Sequence, residues 1–238
     1  MRKVLLAILC IAFAAAPGRA GLRATYEGTS EPKVLVVEVA DHGGAARVST
    51  PGREDYGLLI ADQFYVIGPQ EGKLQVARTA DLAAAFDRVM PPIFKNLFGA
   101  AGASVKATPL KATRAGARTV AGVAGEAWSV KGLDDEKPDA ATEIVVAKDP
   151  ALAPVGRALA AFFESGMVMM RPLLGNGAAQ LVQQNRQIFA LGTPIASTDR
   201  FTLVKLETVD LPDGRFTLPA TPATVDELVA GMKVTPAS

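Results

Sequence analysis

The stretch LLIADQFYVIGPQEGKLQVARTADLAAAFDRVM, residues 58–90, contains the change of pattern that decides the fold. Up to Arg78 it consists of short runs of β-forming residues, separated by turn residues at 61–63 and 68–72. After Arg78 the apolar residues lie three and four positions apart, which is the spacing of one face of a helix. The stretch therefore predicts antiparallel strands followed directly by an amphipathic helix.

The strand pattern continues toward the N-terminus. Segments 22–27, 33–39 and 45–49 are rich in β-forming residues. The turns between them, at 28–32 and 41–44, contain glycine, aspartate and proline, which adopt the backbone angles that tight turns need. These repeated short strands predict a meander in the first third of the chain.

The first predicted helix covers residues 82–97. Thr79 or Asp81 is the expected N-cap, because short polar side chains accept the free N–H groups of a first turn. Pro91 and Pro92 should kink or split the helix, since proline lacks the N–H that continues it. Its apolar stripe consists of Leu82, Phe86, Val89, Met90, Ile93 and Leu97.

A second predicted helix begins at Asp149 and Pro150 and ends at Arg171 and Pro172. Residues 178–190 are compatible with either helix or strand, because several glutamines obscure the period. Thr224 and Glu227 have the spacing of a capping box and predict a short helix over 224–232. The remaining predicted strands cover residues 105–113, 119–122, 126–131, 142–147, 194–198, 201–209 and 215–218.

These elements define an α+β fold that is mainly β. We expect a curved antiparallel sheet, or half-open barrel, with two or three apolar helices over its concave face. No linker rich in proline and serine divides the chain, so residues 21–238 are expected to form a single β-rich domain.

Residues 1–20 have the pattern of a cleavable signal peptide. Arg2 and Lys3 supply the positive start, residues 4–16 are uncharged and apolar, and Gly18 and Ala20 are small residues before the predicted cut. The apolar run is shorter than the ~20 residues that span a bilayer. The sequence therefore predicts export to the periplasm or beyond, with no integral membrane segment after cleavage.

Three segments of this chain resemble an uncharacterised family of exported bacterial proteins with the half-open barrel of bacterial lipoprotein carriers. They are VAGVAGEAW at residues 120–128, TEIVVA at 142–147 and LPDGRFTLP at 211–219. The resemblance spans most of residues 22–220. It implies a curved antiparallel sheet with helices over its concave face and a hydrophobic cargo.

Composition excludes several function classes. The chain has 25 Lys and Arg against 24 Asp and Glu, so it lacks the basic surface that nucleic-acid binding requires. Its one cysteine, Cys10, lies in the predicted signal peptide, so the exported domain has no thiol for a disulfide or metal site. With one histidine besides, we expect neither a metal nor a cofactor.

An enzymatic role is not expected. The single histidine, His42, lies in a predicted turn between Asp41 and Gly43, where polar residues are common. The chain contains neither a Gly-x-Ser-x-Gly element nor a phosphate-binding loop. Carboxylate, tyrosine or lysine chemistry stays open, and a concave cluster of Tyr26, Tyr56 or Tyr65 with a buried acid would favour catalysis.

The two apolar helices are the most informative feature for function. They could simply close the core, or they could close it incompletely and leave an apolar pocket. The predicted ligand-binding residues are Phe86, Met90, Phe94 and Phe98 on the first helix, and Phe162, Phe163, Met167 and Met170 on the second. A pocket would make this a periplasmic binding or carrier protein for a hydrophobic, lipid-like ligand. The alternative is an envelope structural or protein-interaction protein without a small ligand, whose partner the sequence does not identify.

Overall fold

The computed structural model describes residues 20–41, 43–70, 72–93, 109–133, 137–174, 176–198 and 200–233. The strands are β1 Ala20–Gly28, β2 Val34–Val39, β3 Ala45–Ser49, β4 Tyr56–Ile60, β5 Gln63–Gln70, β6 Lys73–Arg78, β7 Lys111–Val120, β8 Val123–Lys131, β9 Ala141–Ala147, β10 Thr193–Ser197 and β11 Phe201–Asp210. The α-helices are α1 Thr79–Val89, α2 Ala153–Leu174, α3 Asn176–Leu191 and α4 Val225–Lys233. Short 3-10 helices cover Pro150–Leu152 and Asp213–Phe216.

All eleven strands belong to one antiparallel sheet. Their order is β6-β5-β4-β3-β2-β1-β11-β10-β9-β8-β7, so the first and last strands of the chain are neighbours in its middle. The sheet is curved and does not close, which confirms the predicted mainly-β half-open barrel. The helices that the structure describes lie between β6 and β7, between β9 and β10, and after β11.

The core lies between the sheet and α2. Ala24, Val37 and Val48 are directly opposite one another on β1, β2 and β3, and all three are buried. Val155 and Ala158 of α2 belong to the same buried cluster. Side chains alternate between the two faces of a strand, so the register places these residues on one face of the sheet.

The opposite face of the sheet carries a buried carboxylate. Glu38 of β2 is 1% exposed and accepts hydrogen bonds from Arg23 Nη2 at 2.8 Å and Arg215 Nε at 2.6 Å. Two cations compensate the loss of hydration that an isolated buried carboxylate would suffer. The contact to Arg215 holds the segment after β11 against the sheet.

That contact explains why the predicted strand over 215–218 is wrong. The segment forms the 3-10 helix Asp213–Phe216 instead, which directs Arg215 to Glu38 and buries Phe216. Further along, Ala223 N donates to Val76 O of β6 at 2.8 Å. The C-terminal segment therefore covers part of an edge strand that would otherwise be unpaired.

The predicted cap of the first helix is also wrong. Arg78 is the N-cap of α1 and makes no side-chain capping bond. Thr79 lies in the first turn, where its hydroxyl donates to Phe64 O of β5 at 3.0 Å. Because β6 runs directly into α1, Thr79 packs against the sheet. The helix stops at Met90, which is extended before Pro91 as proline requires.

Strand β7 joins parts of two predicted strands, 105–113 and 119–122, and ends at Val120. It includes residues 114–118, which pair with β8 around an irregularity at Gly116. Ion pairs of Arg114 with Glu126 and of Arg118 with Glu143 support this polar segment. Ala121 and Gly122 form the turn to β8, both at positive φ. Residues 105–108 of the predicted strand lie outside the described residues.

The second helical insertion is larger than predicted. Asp149 accepts a hydrogen bond from Ala151 N at 2.9 Å and starts the turn that leads into α2. This helix continues beyond Arg171 to Leu174. The undecided segment 178–190 lies within α3, so the insertion contains two helices.

Candidate functional site

The helices α2 and α3 pack against each other. Helix α2 also contacts β2, β3 and β10, and α3 contacts β10. Arg186 of α3 makes a bidentate ion pair with Glu164 of α2, at 2.7 and 3.0 Å. Gln184 is buried and its Nε2 donates to Gly132 O after β8 at 3.3 Å. These contacts hold α3 between α2 and the loop that follows β8.

The first half of α2 approaches the sheet closely. A Cβ at Gly156 would overlap the side chain of Thr193 on β10, so only glycine permits this approach. The Thr193 hydroxyl donates to Leu152 O at 2.9 Å, which fixes the start of the helical insertion. This half of α2 is therefore packed directly on the strands.

Two aromatic rings meet between the middle of α2 and the sheet. The rings of Phe162 and Phe64 are 6.2 Å apart between centroids, at an interplanar angle of 58°. Phe64 reaches this position across Gly57 of β4, where a Cβ would overlap its ring. Phe162 also lines a cavity between the helices and the sheet.

The cavity has a volume of about 340 Å³, is partly open to solvent and has mainly apolar walls. This volume is within the usual range of small-molecule sites, roughly 300–1,000 Å³. The apolar side chains on its wall come from the sheet and from both helices. They are Tyr26, Leu35, Leu133, Ile144, Leu159, Phe162, Phe163, Ile188, Phe189, Pro194 and Phe201.

Larger depressions exist, but they are more open to solvent and their walls are less apolar. One of about 470 Å³ lies at the start of α2 and includes Lys148 and Arg157. Another of about 570 Å³ lies beside β7 and includes Arg118 and Glu143. The 340 Å³ cavity between α2, α3 and the sheet is therefore the candidate apolar site, and we call it the inter-helix pocket.

Tyr26 gives the inter-helix pocket an uncharged wall. Its hydroxyl donates to Pro194 O at 3.2 Å, and its ring meets Phe201 edge-on at 6.0 Å between centroids. Burial raises the pKa of the Tyr26 phenol well above its ordinary value, because the apolar surroundings disfavour the phenolate. Tyr26 is therefore neutral at physiological pH and presents an aromatic surface.

Two connected turns form the rim of the inter-helix pocket. Thr29 N, in the turn after β1, donates to Arg200 O, in the turn after β10, at 3.0 Å. The first turn closes on itself through Gly28 N and Lys33 O at 2.7 Å. Arg200 lines the pocket, is exposed, and its guanidinium has no partner among the residues that the structure describes.

The structure brings two of the eight predicted ligand-binding residues into the inter-helix pocket, Phe162 and Phe163. Met167 and Met170 lie further along α2 and are not on the pocket wall, and Met170 is 39% exposed. The predictions for Phe94 and Phe98 lie outside the described residues, as do those for His42 and residues 1–19.

Phe86 and Met90 of α1 lie in a different part of the molecule. Helix α1 packs on β6, on α4 and on α2, and none of its residues lines the inter-helix pocket. Met90 is buried and Phe86 is half-buried. Their role as ligand contacts stays a prediction.

Sequence reasoning missed the pocket residues outside the second predicted helix. Ile188 and Phe189 lie in the segment left undecided between helix and strand, where two adjacent apolar residues among glutamines were the available signal. Tyr26, Leu35 and Phe201 follow the ordinary alternation of strands. Nothing in that alternation distinguishes a pocket wall from a filled core.

The structure does not pair a tyrosine with a buried acid at this site. Tyr26 lies on the face of β1 that contacts the core cluster, whereas the buried Glu38 is opposite Arg23 on the other face. In the described part of the chain no three His, Cys, Asp or Glu side chains converge as metal ligands. None of the described helices combines the length and apolar character needed to cross a bilayer.

Comparison with family models, with curated proteins and with solved structures found no match to this chain. The resemblance to lipoprotein carriers therefore stays a prediction from the sequence.

Proposed function

We propose that this protein binds a hydrophobic, lipid-like ligand in the inter-helix pocket and carries or stores it outside the cytoplasm. The observation that carries the proposal is the apolar wall of the 340 Å³ cavity, to which five aromatic rings contribute. Burying hydrocarbon there would contribute about 0.8 kcal/mol per methylene. The signal-peptide pattern of residues 1–20 supports an exported location.

Native mass spectrometry of the protein purified from its own cell envelope tests this proposal. We expect a ligand-bound species whose extra mass is extracted into organic solvent. Protein that is entirely unliganded, and that also fails to bind any acyl-chain probe in solution, would contradict a binding role.

A pocket-filling variant locates the binding site. Ile188→Trp adds bulk to the pocket wall, whereas Gln187→Trp adds the same side chain at an exposed position of the same helix. We expect the first variant to lose the bound ligand and the second to keep it. Circular dichroism checks that both variants are folded. Equal ligand occupancy in the two folded variants would show that the ligand binds outside the inter-helix pocket.

A second candidate function is protein interaction without a small ligand. It is supported by apolar side chains that reach the surface on the second half of α2, where Val168 is 37% exposed and Met170 is 39% exposed. Val168→Ser and Met170→Ser would then abolish recovery of a stoichiometric envelope partner after cross-linking. Ligand occupancy measured on the same variants separates the two functions, because neither residue lines the pocket.

A further inference from the structure

The polar groups of the inter-helix pocket are few and unevenly placed. Its wall is apolar except for Ser197, Asn185 and the residues of the two rim turns. Ser197 is buried, and its Oγ has no hydrogen-bond partner among the described residues. This distribution of one apolar interior and one polar rim fits a ligand with a tail and a headgroup.

The charges at the rim are not equivalent. The carboxylate of Glu31 accepts a hydrogen bond from Lys33 N at 3.4 Å within its own turn and also lies within electrostatic range of Arg53. The guanidinium of Arg200 has no partner in the described part of the chain. The rim therefore carries the carboxylate of Glu31 and the guanidinium of Arg200, which is unpaired among the described residues. The donor geometry of a guanidinium matches a carboxylate.

The volume sets the size of the tail. A methylene group takes about the space of a water molecule, roughly 30 Å³. The cavity of about 340 Å³ then holds a single chain of about ten carbons. A second acyl chain of the same length would exceed this volume.

We propose that the inter-helix pocket takes a single-chain amphiphile with a carboxylate headgroup, whose tail lies between α2, α3 and the sheet and whose headgroup binds Arg200. This assignment rests on the proposed ligand-binding function and deepens it by naming the ligand class. Decanoate is the probe that matches the volume, and decanol is its uncharged counterpart.

The protein contains its own reporter for this experiment. Trp128 is the single tryptophan of the chain and packs in a cluster with Leu133, Ile144 and Ile188, which also line the pocket. We expect decanoate to change the Trp128 fluorescence in a saturable manner. Calorimetric titration of the same full-length exported protein provides an independent affinity.

Varying the ligand's chain length tests the tail site, and varying its headgroup tests the contact with Arg200. From hexanoate to decanoate, we expect each added methylene to tighten binding by roughly fourfold, with little gain beyond about ten carbons. Decanoate should bind more tightly than decanol. A two-chain phosphatidylglycerol should not compete.

Arg200→Gln tests the headgroup contact. We expect this variant to bind decanoate about five- to tenfold more weakly than the original protein while binding decanol unchanged, because a charged hydrogen bond at an exposed rim is lost. Arg200→Lys should restore part of the affinity. Lys33→Gln, which removes a positive charge from the same rim without changing the pocket wall, is the matched control and should bind decanoate normally.

The outcomes distinguish this inference from the proposed function. Equal affinities for decanoate and decanol, both insensitive to Arg200→Gln, would overturn the headgroup assignment and leave an apolar carrier. The same holds if Lys33→Gln weakens decanoate binding as much as Arg200→Gln does. Absence of binding for every chain length would contradict the proposed function itself.

Discussion

Helix α1 and the α2–α3 insertion both carry apolar residues at helical spacing, but they pack on the sheet in different ways. Helix α1 is sealed against its neighbours, with Ala77, Ala85 and Leu228 buried together between β6, α1 and α4. The α2–α3 insertion is packed at its start but leaves the inter-helix pocket further along. Small residues lie at the close contacts, Ala77 and Ala85 at α1 and Gly156 at the start of α2, whereas Phe162 and Phe163 line the inter-helix pocket.

The largest effect is expected at the start of α2, where the insertion is packed. Leu152 is 2% exposed and belongs to the main core cluster. We expect Leu152→Ala to lower the free energy of unfolding by about 2–5 kcal/mol, because it removes buried methyl groups and leaves a void. Urea denaturation measures the change.

Leu74→Ala is the control for this prediction, because Leu74 on β6 is 45% exposed. It should change the free energy of unfolding by about 0.5 kcal/mol or less. A comparable loss in both variants would mean that Leu152 is not part of a close-packed core.

The next effect concerns the sealed region around α1. Ala85→Leu adds methylene groups where Ala77 and Leu228 already fill the space. We expect it to lower the free energy of unfolding by about 1–3 kcal/mol through overpacking. Ala84→Leu, at an exposed position of the same helix, should be close to neutral. If Ala85→Leu also left the stability unchanged, a cavity would have to lie beside α1, as one does beside α2.

The inter-helix pocket should respond to added bulk in the opposite way. Leu159 lines the cavity, so Leu159→Phe places the larger ring in existing space. We expect the free energy of unfolding to change by less than about 1.5 kcal/mol, while the affinity for an acyl-chain probe falls. Thermal melting and probe titration on the same sample measure both quantities. A large loss of stability would show that the pocket closes in solution.

The smallest effect is expected at the cap of α4, which packs on α1. Glu227 accepts hydrogen bonds from Thr224 N at 2.8 Å and Thr224 Oγ1 at 2.9 Å. These bonds lower the pKa of the Glu227 carboxyl from its ordinary value of 4.5. A lowered folded-state pKa means that the stabilisation is present above pH 4.5 and is lost as the pH falls through the folded-state value.

Glu227→Ala should therefore be less stable than the original protein at neutral pH, and the difference should shrink on acidification. Melting temperatures measured between neutral pH and pH 3 compare the two proteins. A difference that stays constant over this range would show that the ionised carboxylate does not contribute.

Much of the fold could be predicted because its local signals agree with its tertiary contacts. The hairpin over 58–67 and the capping box of Thr224 and Glu227 are both confirmed. Prediction failed where a distant partner decided the conformation. Arg215 binds the carboxylate of Glu38, and its segment therefore does not form a strand. Residues 114–118 form part of a strand because they pair with β8.

The site was less predictable than the fold. The aromatic pattern of the second helix led to Phe162 and Phe163, because an apolar stripe indicates which side of a helix turns inward. It did not reveal Phe189 of α3, Phe201 at the start of β11, or Arg200 in the turn before β11. Their positions depend on the pairing of β10 with β9 and β11, which joins residues far apart in the chain.

The amino-acid pattern alone determined that this chain forms a mainly antiparallel sheet interrupted by apolar helices, because strand and helix periods are local properties of the chain. Whether those helices fill the core or leave a hollow was decided only by the tertiary structure. That outcome depends on how closely α2 approaches the sheet. The contact of Gly156 with Thr193 and the contact of Phe162 with Phe64 set this distance.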